Sequence, residues 1–342
     1  MSREQDHSHP TDVFGLPEGL LAALIGALLL IGSFALHSFA TPMPPAERWA
    51  GLTSFTLLAL GVTLPGCAAL YDGLGRVVRR DRRAMVALLA LIPALYGAYA
   101  FAVRELTATG LLAALLFTAV PALAFGLGGT RREPIMLDGV GLTYLGLSLW
   151  LQLLPPLTLP QQGGLVGFFQ LAVVPLLLLL FAARGWPGLG YTWHLSGREL
   201  RDALVAGGLA TALVLLVAPL LHGTPLFSGR LPGASDVVLA ILRSYFFTAL
   251  PMELLLRGGL QNGLTRALAA RAGTRAPWIA LGITSLIAVL AGLTPGWAAP
   301  GPLATGSAGL AAGWVYLRTG KVSAAAVSSA LIVLGLSLLA WG

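Results

Sequence analysis

The chain has 342 residues, of which 56% are hydrophobic and only 10% charged, and its formal net charge is +7. Soluble domains carry about 25% charged residues, so these values exclude an ordinary soluble globular protein. Apolar runs recur along the whole chain, and runs of about 20 residues cross the ~30 Å hydrocarbon core of a bilayer as helices. Because the runs are continuous and do not alternate, they predict helices and not a barrel. We therefore predict an all-α, polytopic transmembrane helical bundle.

In chain order, a polar N-terminal tail precedes eleven apolar segments. The tail lacks the basic start and short apolar core of a cleavable signal peptide. Before the seventh segment, Ser196 with Glu199 three residues later indicates a helix N-cap, which we interpret as the start of a helix lying at the membrane interface. The approximate extents of the eleven segments are 19–40, 51–71, 84–103, 110–129, 139–157, 164–183, 203–222, 236–256, 278–293, 303–317 and 322–341.

The positions of the basic residues predict the orientation of these segments. With the N-terminus in the cytoplasm, 17 of the 21 Lys and Arg residues fall on the cytoplasmic side, counting Arg257 at the membrane edge. Arg48, Arg104 and Arg230 fall on the opposite side, and Arg243 lies inside the eighth segment. This bias follows the positive-inside rule. We therefore predict about 11 spans and a multi-pass protein of the cell inner (plasma) membrane.

The same distribution bears on partners. Topology and anionic lipid account for the positive charge, so we expect membrane lipid as a partner and no nucleic acid. His7 and His9 in the tail are too few to indicate a metal site, and the sequence predicts no metal and no cofactor. Arginine makes up 20 of the 21 basic residues, and alanine and glycine are abundant, which suggests a GC-rich bacterial genome.

We divide the chain into two regions. Residues 1–183 form an N-terminal transmembrane region of about six spans, and residues 184–342 form a transmembrane core of about five. In the tenth segment, Gly309 and Gly313 have the small-xxx-small spacing that lets helices pack closely. Cys67 lies in an apolar run and is interpreted as a small buried hydrophobic residue.

The candidate site lies in the stretch ALPMELLLRGGLQ, residues 249–261. Glu253 and Arg257 are four residues apart, so they share one helix face and can form an ion pair. Ionisable groups inside a membrane are costly and often functional. Two interpretations stay open on spacing alone. The pair is either part of a functional site or a salt bridge at a helix end that holds the eighth segment against its neighbours.

Three stretches together resemble a known family. MELLLRGGLQNGL looks like the first motif of the CPBP family of intramembrane proteases, which are related to type II CAAX prenyl endopeptidases and bacteriocin-processing proteins. WIALGITSLIAVLAGLTPG is similar to the second-motif segment, and GWVYLRTG with the helix after it resembles the third. The resemblance covers roughly residues 184–342. It implies a transmembrane fold and proteolysis of membrane-bound substrates.

The resemblance also implies particular catalytic residues. The family activates water with a glutamate and a histidine, and a further histidine and an asparagine polarise the scissile carbonyl. Glu253 and Arg257 are retained and are our catalytic candidates. The other family residues are replaced in this sequence. Met252 stands where the family has a glutamate, Ala288 where it has an aromatic residue, Gly292 and Ser329 where it has histidines, and Val333 where it has an asparagine. We therefore predict a degenerate catalytic site, in which the retained pair braces helices.

Other side chains offer few replacements for the missing groups. Ser328, Ser329 and Thr284 carry hydroxyls, but a serine nucleophile needs a neighbouring base, and the sequence places none on these helices. His37 and His222 lie near span ends on the side opposite Arg257, so we expect them to be away from the site.

Three functions are compatible with these observations. The leading hypothesis is a pseudoenzyme that acts as a binding or scaffold module for a prenylated or transmembrane peptide. The alternative is an active intramembrane endopeptidase with a rearranged site. The third is a small-solute transporter, which needs polar groups along a midplane path, and the first six spans offer little beyond Gln152, Gln170 and tyrosines.

Overall fold

The computed structural model describes residues 19–127, 136–162, 164–222, 233–293 and 301–339. The tail with His7 and His9, and the loop with Arg230, lie outside these ranges. Within them, the α-helices are α1 (Leu20–Ala40), α2 (Pro45–Thr63), α3 (Ala68–Arg80), α4 (Arg82–Ala102), α5 (Ala108–Leu127), α6 (Met136–Trp150), α7 (Phe168–Arg184), α8 (Gly197–His222), α9 (Ala234–Leu242), α10 (Leu250–Glu253), α11 (Asn262–Ala272), α12 (Ala276–Ala291), α13 (Gly301–Thr319) and α14 (Val322–Leu339).

The prediction of an all-α bundle is confirmed. Described strand structure is limited to a short antiparallel pair, β1 (Thr158–Leu159) and β2 (Val166–Gly167). Two shorter apolar helices, Phe168–Arg184 and Val322–Ser337, accompany the long ones. By length and composition, six described stretches could each cross a membrane, namely Leu20–Ala40, Pro45–Gly66, Arg82–Ala102, Ala108–Gly126, Gly197–Val217 and Val237–Ala291. The prediction of about 11 crossings stays a prediction.

Two local predictions about helix boundaries differ from the structure. The helix of the second segment ends at a 3-10 turn, Leu64–Gly66, before the predicted end at residue 71. Helix α3 follows and covers most of the interval that we left outside the apolar segments. In α3 the Arg79 guanidinium donates to the Ala182 carbonyl of α7 over 2.7 Å. Helix α8 begins with the predicted capping pair, since Ser196 N–H donates to Glu199 Oε2 (2.7 Å). The prediction of a separate interfacial helix is wrong, because the helix that begins at this cap continues without a break through the seventh segment.

Helix α7 lies at the centre of the bundle. It is apolar on all sides, and nearly all of its residues are buried. A helix that is hydrophobic all round belongs in the interior. It packs against α2, α3, α4 and α5 and also against α10. Gly61 of α2 faces it so closely that a Cβ there would lie 2.8 Å from Pro175 Cβ.

The segment between α7 and α8 ties this centre to α2. Tyr191 O–H donates to the Val62 carbonyl, and Trp193 Nε1–H donates to the Thr63 carbonyl over 2.6 Å. Burial raises the pKa of the Tyr191 phenol well above its usual value of 10.0, so the hydroxyl stays protonated and keeps its donor role.

Polar contacts group the helix ends into two sets. At one end of the bundle, Lys321 Nζ donates to Glu199 Oε2 (2.8 Å), beside the α7–α8 connection. At the other end, Tyr99 O–H donates to the Thr158 carbonyl (3.0 Å). The first set joins ends that the charge pattern assigns to the cytoplasm, and the second joins ends assigned to the opposite side. The alternation of the spans across the membrane stays a prediction.

Candidate functional site

The candidate site lies on one long helix that contains two π-helical segments. Between α9 and α10 is the first π segment, Arg243–Ala249, and between α10 and α11 is the second, Leu254–Gln261. Pro251 lies between them and contributes no N–H to the helix. π-helical turns within α-helices occur frequently at functional sites. Here they flank Glu253 on both sides.

Arg257 is fully enclosed by protein, with 0% exposure. Its Nε–H donates to Glu253 Oε2 (2.9 Å), and Nη1–H donates to Gln261 Oε1 (2.9 Å) and Thr284 Oγ1 (2.7 Å). Its Nη2–H donates to the Gly309 carbonyl (2.7 Å). The position of Arg257 at the membrane edge stays a prediction, but the side chain does not extend out of the protein. The guanidinium binds acceptors of three helices instead.

Glu253 joins this arrangement to a fourth helix. Its side chain is 4% exposed, and Oε1 accepts a hydrogen bond from Ser329 Oγ of α14 over 2.5 Å. Both carboxylate oxygens are thus engaged, one by Arg257 and one by Ser329. The expectation that Ser329 has no base nearby is wrong, because the carboxylate comes from a different helix that sequence spacing could not bring to it.

Close packing of α13 makes room for the guanidinium. A Cβ on Gly313 would overlap Leu281 Cδ1 of α12 and lie 2.9 Å from Arg257 Nη1. A Cβ on Gly309 would lie 3.0 Å from Ala288 Cβ. The predicted small-residue packing in the tenth segment is therefore confirmed, and it exposes the Gly309 carbonyl to Arg257.

The family positions meet around one small cavity, which we call the chamber. It has a volume of about 60 Å³. Its walls are mostly apolar, with Glu253 and Ser329 as the polar exceptions together with two threonines. The lining residues at family positions are Met252, Glu253, Ala288, Ser329 and Val333. The motif alignment therefore corresponds to one place in the structure.

Gly292, the remaining family position, lies just outside the chamber. A Cβ there would overlap Thr305 Oγ1 and lie 2.7 Å from the Gly301 carbonyl oxygen. Thr305 itself lines the chamber. The start of α13 thus occupies the space into which a larger side chain at position 292 would project.

A residue of the N-terminal region also reaches the site. Trp150 at the end of α6 donates from Nε1–H to Met252 Sδ over 2.9 Å. Indole N–H groups usually find a partner when buried, and here the partner stands at the position of the family's first glutamate. Sequence reasoning missed Trp150, since its segment carries no family motif.

Two larger cavities adjoin the chamber. The aromatic cavity, of about 430 Å³, shares Thr248 and Met252 with it and is walled by Trp150, Phe168 and Phe247. The polar cavity, of about 400 Å³, shares Thr248 and Val333 with it and includes His37, Arg243, Ser244 and Ser337. His37 therefore lies nearer to the site than expected.

The part of the chain that the structure describes contains no group of three His, Cys, Asp or Glu side chains that could hold a metal ion. The chemistry available around the chamber is that of one ion-paired carboxylate, a serine hydroxyl bonded to it and a buried guanidinium. These groups form a hydrogen-bond network across four helices.

Residues 234–334 match the family described as Type II CAAX prenyl endopeptidase Rce1-like. This stretch of the chain is therefore similar to Rce1-like proteins. The resemblance to the CPBP family is thereby confirmed, and the Rce1-like stretch contains every family position discussed above. No curated protein and no solved structure matches the chain. With its apolar helices, the chain is a multi-pass, intramembrane protease-like membrane protein.

Proposed function

We propose that this Rce1-like protein is catalytically inactive and binds a membrane-embedded hydrophobic partner, a prenylated or transmembrane peptide. We place it in the inner (plasma) membrane of a bacterium, with a cytoplasmic N-terminus. The observation that carries the proposal is the chamber, where Met252 and Val333 present apolar side chains at family catalytic positions and Ala288 replaces the family's aromatic residue.

The chamber lacks the parts that water activation needs. A general base must reach the proton that it removes, and Met252 cannot accept one. Glu253 is a carboxylate, but Arg257 and Ser329 occupy its oxygens. The space beside Gly292 is filled by Thr305 and Gly301.

Binding is favoured by the apolar character of the same walls. Leu256, Ile332 and Leu336 complete the lining of the chamber, which adjoins the aromatic cavity at Met252. Small-molecule sites are typically apolar pockets of about 300–1,000 Å³ with a few polar groups, and the aromatic cavity falls within that range. An extended apolar chain could lie there with its end in the chamber.

A proteolysis and crosslinking assay tests this proposal. Purified protein in proteoliposomes is given a prenylated peptide reporter and a transmembrane-helix reporter, each carrying a photocrosslinker. We expect at least one reporter to crosslink to the protein and no cleavage above that in empty liposomes. In protein that remains folded, the Glu253→Gln variant should crosslink as the parent protein does and should likewise show no cleavage. Glu199→Gln, which alters a carboxylate bonded to Lys321 outside the chamber, is the matched control.

Cleavage in the parent protein that Glu253→Gln abolishes and Glu199→Gln preserves would contradict inactivity. If neither the prenylated reporter nor the transmembrane reporter crosslinks to the protein, the binding role is contradicted.

One observation favours a second candidate function, an endopeptidase with a serine nucleophile. Ser329 Oγ donates to Glu253 Oε1 over 2.5 Å, and a hydroxyl bonded to a carboxylate that is held by a third group is the arrangement of an activated nucleophile. A fluorophosphonate probe distinguishes the two functions. Ser337 is the control, because its hydroxyl bonds a carbonyl of its own helix. Labelling that is lost in Ser329→Ala and kept in Ser337→Ala would establish a serine enzyme. Absence of labelling in the parent protein would support the binding role.

A further inference from the structure

Arg243 is a cation without a counter-charge in the described ranges. It opens the first π segment, its side chain is exposed, and no described group forms an ion pair or hydrogen bond with it. It lines both the aromatic cavity and the polar cavity. A charged side chain at membrane depth is costly, and such residues typically face a cavity and have a partner.

The groups around Arg243 favour an anion as that partner. Among the described residues that line the two cavities, none is Asp or Glu. His37 lies in the polar cavity, and its Nε2 is buried without a hydrogen-bond partner in the described structure. Gln152 and Gln170 line the aromatic cavity and add amide donors. The described polar groups that line the two cavities with Arg243 are thus neutral or cationic.

The walls beyond Arg243 suit a hydrocarbon chain. Phe247, Trp150 and Phe168 line the aromatic cavity, and Met252 forms the boundary with the chamber. Aromatic and thioether side chains offer large, adaptable apolar contact surface. A ligand that fits both parts has an anionic head and an apolar tail.

We propose that Arg243, with His37 beside it, binds the carboxylate or phosphate head of a single-chain amphiphile whose tail lies along the aromatic cavity toward Met252. The inference deepens the proposed binding role and rests on it for the position of the tail. The head site rests on Arg243 and on the absence of Asp and Glu among the described residues that line the two cavities.

Binding to the detergent-purified full chain tests the inference. The probes are palmitate, hexadecanol, octanoate and inorganic phosphate, and the variant is Arg243→Gln. Arg104→Gln is the matched control, because Arg104 is exposed, as Arg243 is, but does not line either cavity. We expect palmitate to bind more tightly than both hexadecanol and octanoate. Since a charge-assisted hydrogen bond contributes about 1.5–3 kcal/mol, Arg243→Gln should weaken palmitate binding roughly tenfold to hundredfold. Arg104→Gln should leave it unchanged.

The other outcomes overturn the inference in distinguishable ways. Equal binding of hexadecanol and palmitate, unaffected by Arg243→Gln, would remove the head site and leave the proposed binding of apolar partners standing. Phosphate binding as tight as palmitate binding would identify a free-anion site and exclude the amphiphile. Selective palmitate binding in a protein that crosslinks neither peptide reporter would refute the proposed function and support this inference. Thermal melting of each variant verifies that the fold is intact.

Discussion

At the scale of single residues, Arg257 defines the site. Four described acceptors receive its N–H groups, and Glu253 carries the network on to Ser329. An arginine guanidinium has five donors and no acceptor, so it suits an enclosed position among carbonyls and carboxylates. A buried pair of this kind is strongly coupled, since removal of one partner strands the other charge.

The coupling can be measured with Glu253→Ala, Arg257→Ala and the double variant. Each single change leaves a buried, uncompensated charge, so we expect a loss of about 3–5 kcal/mol in the free energy of unfolding. The double variant should lose clearly less than the sum of the two. Unfolding in mixed detergent micelles provides the measurement.

Arg318→Ala serves as the control for that experiment. Its guanidinium pairs with Asp202 over 3.3 Å, but the side chain is 43% exposed, and exposed pairs contribute about 0–1 kcal/mol. Additive losses from Glu253→Ala and Arg257→Ala would show that the two side chains do not act as a pair.

At the scale of elements, α13 decides how closely the helices around the site approach each other. Its glycines let α12 pack against it and leave two carbonyls open to the long helix. The Gly309 carbonyl accepts from Arg257, and the Gly313 carbonyl accepts from Gln261 Nε2 over 3.4 Å. The glycine spacing and the arginine network therefore depend on each other.

Gly313→Ala tests this dependence. The added methyl would overlap Leu281 and crowd Arg257, so we expect a loss of about 1–3 kcal/mol in the free energy of unfolding from overpacking. Gly282→Ala in α12 is the control, because no atom beyond its chain neighbours and its own helix backbone lies within 4 Å of its Cβ position. Alanine has the higher helix propensity, so this variant should be as stable as the parent protein or more stable. Equal stabilities of the two variants would contradict the close-packing account.

At the scale of the whole molecule, the two sets of helix ends imply two faces of the membrane. Lys321 pairs with Glu199 in one set, and Tyr99 bonds the Thr158 carbonyl in the other. Because positive charge concentrates on the cytoplasmic side, we predict that the first set lies at the cytoplasmic face.

Cysteine labelling in intact cells tests this assignment. Cys67 is the only cysteine and is buried, so Cys67→Ala provides a thiol-free background. A cysteine introduced by Glu105→Cys, between α4 and α5, should react with a membrane-impermeant maleimide from outside. Thr274→Cys, between α11 and α12, should react only after the membrane is opened. The reverse pattern would invert the predicted topology.

The sequence by itself determined the class of protein, the approximate helices and the order of the family motifs. These follow from apolar run length, charge bias and short-range spacing, which are local properties of the chain. The division at residues 183 and 184 stays a prediction.

Only the tertiary structure decided what the retained pair contacts. Ser329 meets Glu253 across 76 positions of sequence, Trp150 meets Met252 across 102, and Arg257 is enclosed because α13 approaches closely. Contacts between distant segments depend on how helices pack, and packing depends on side-chain shape at many positions at once. For that reason the sequence motif predicted where the site lies, whereas only the fold showed which side chains contact each other there.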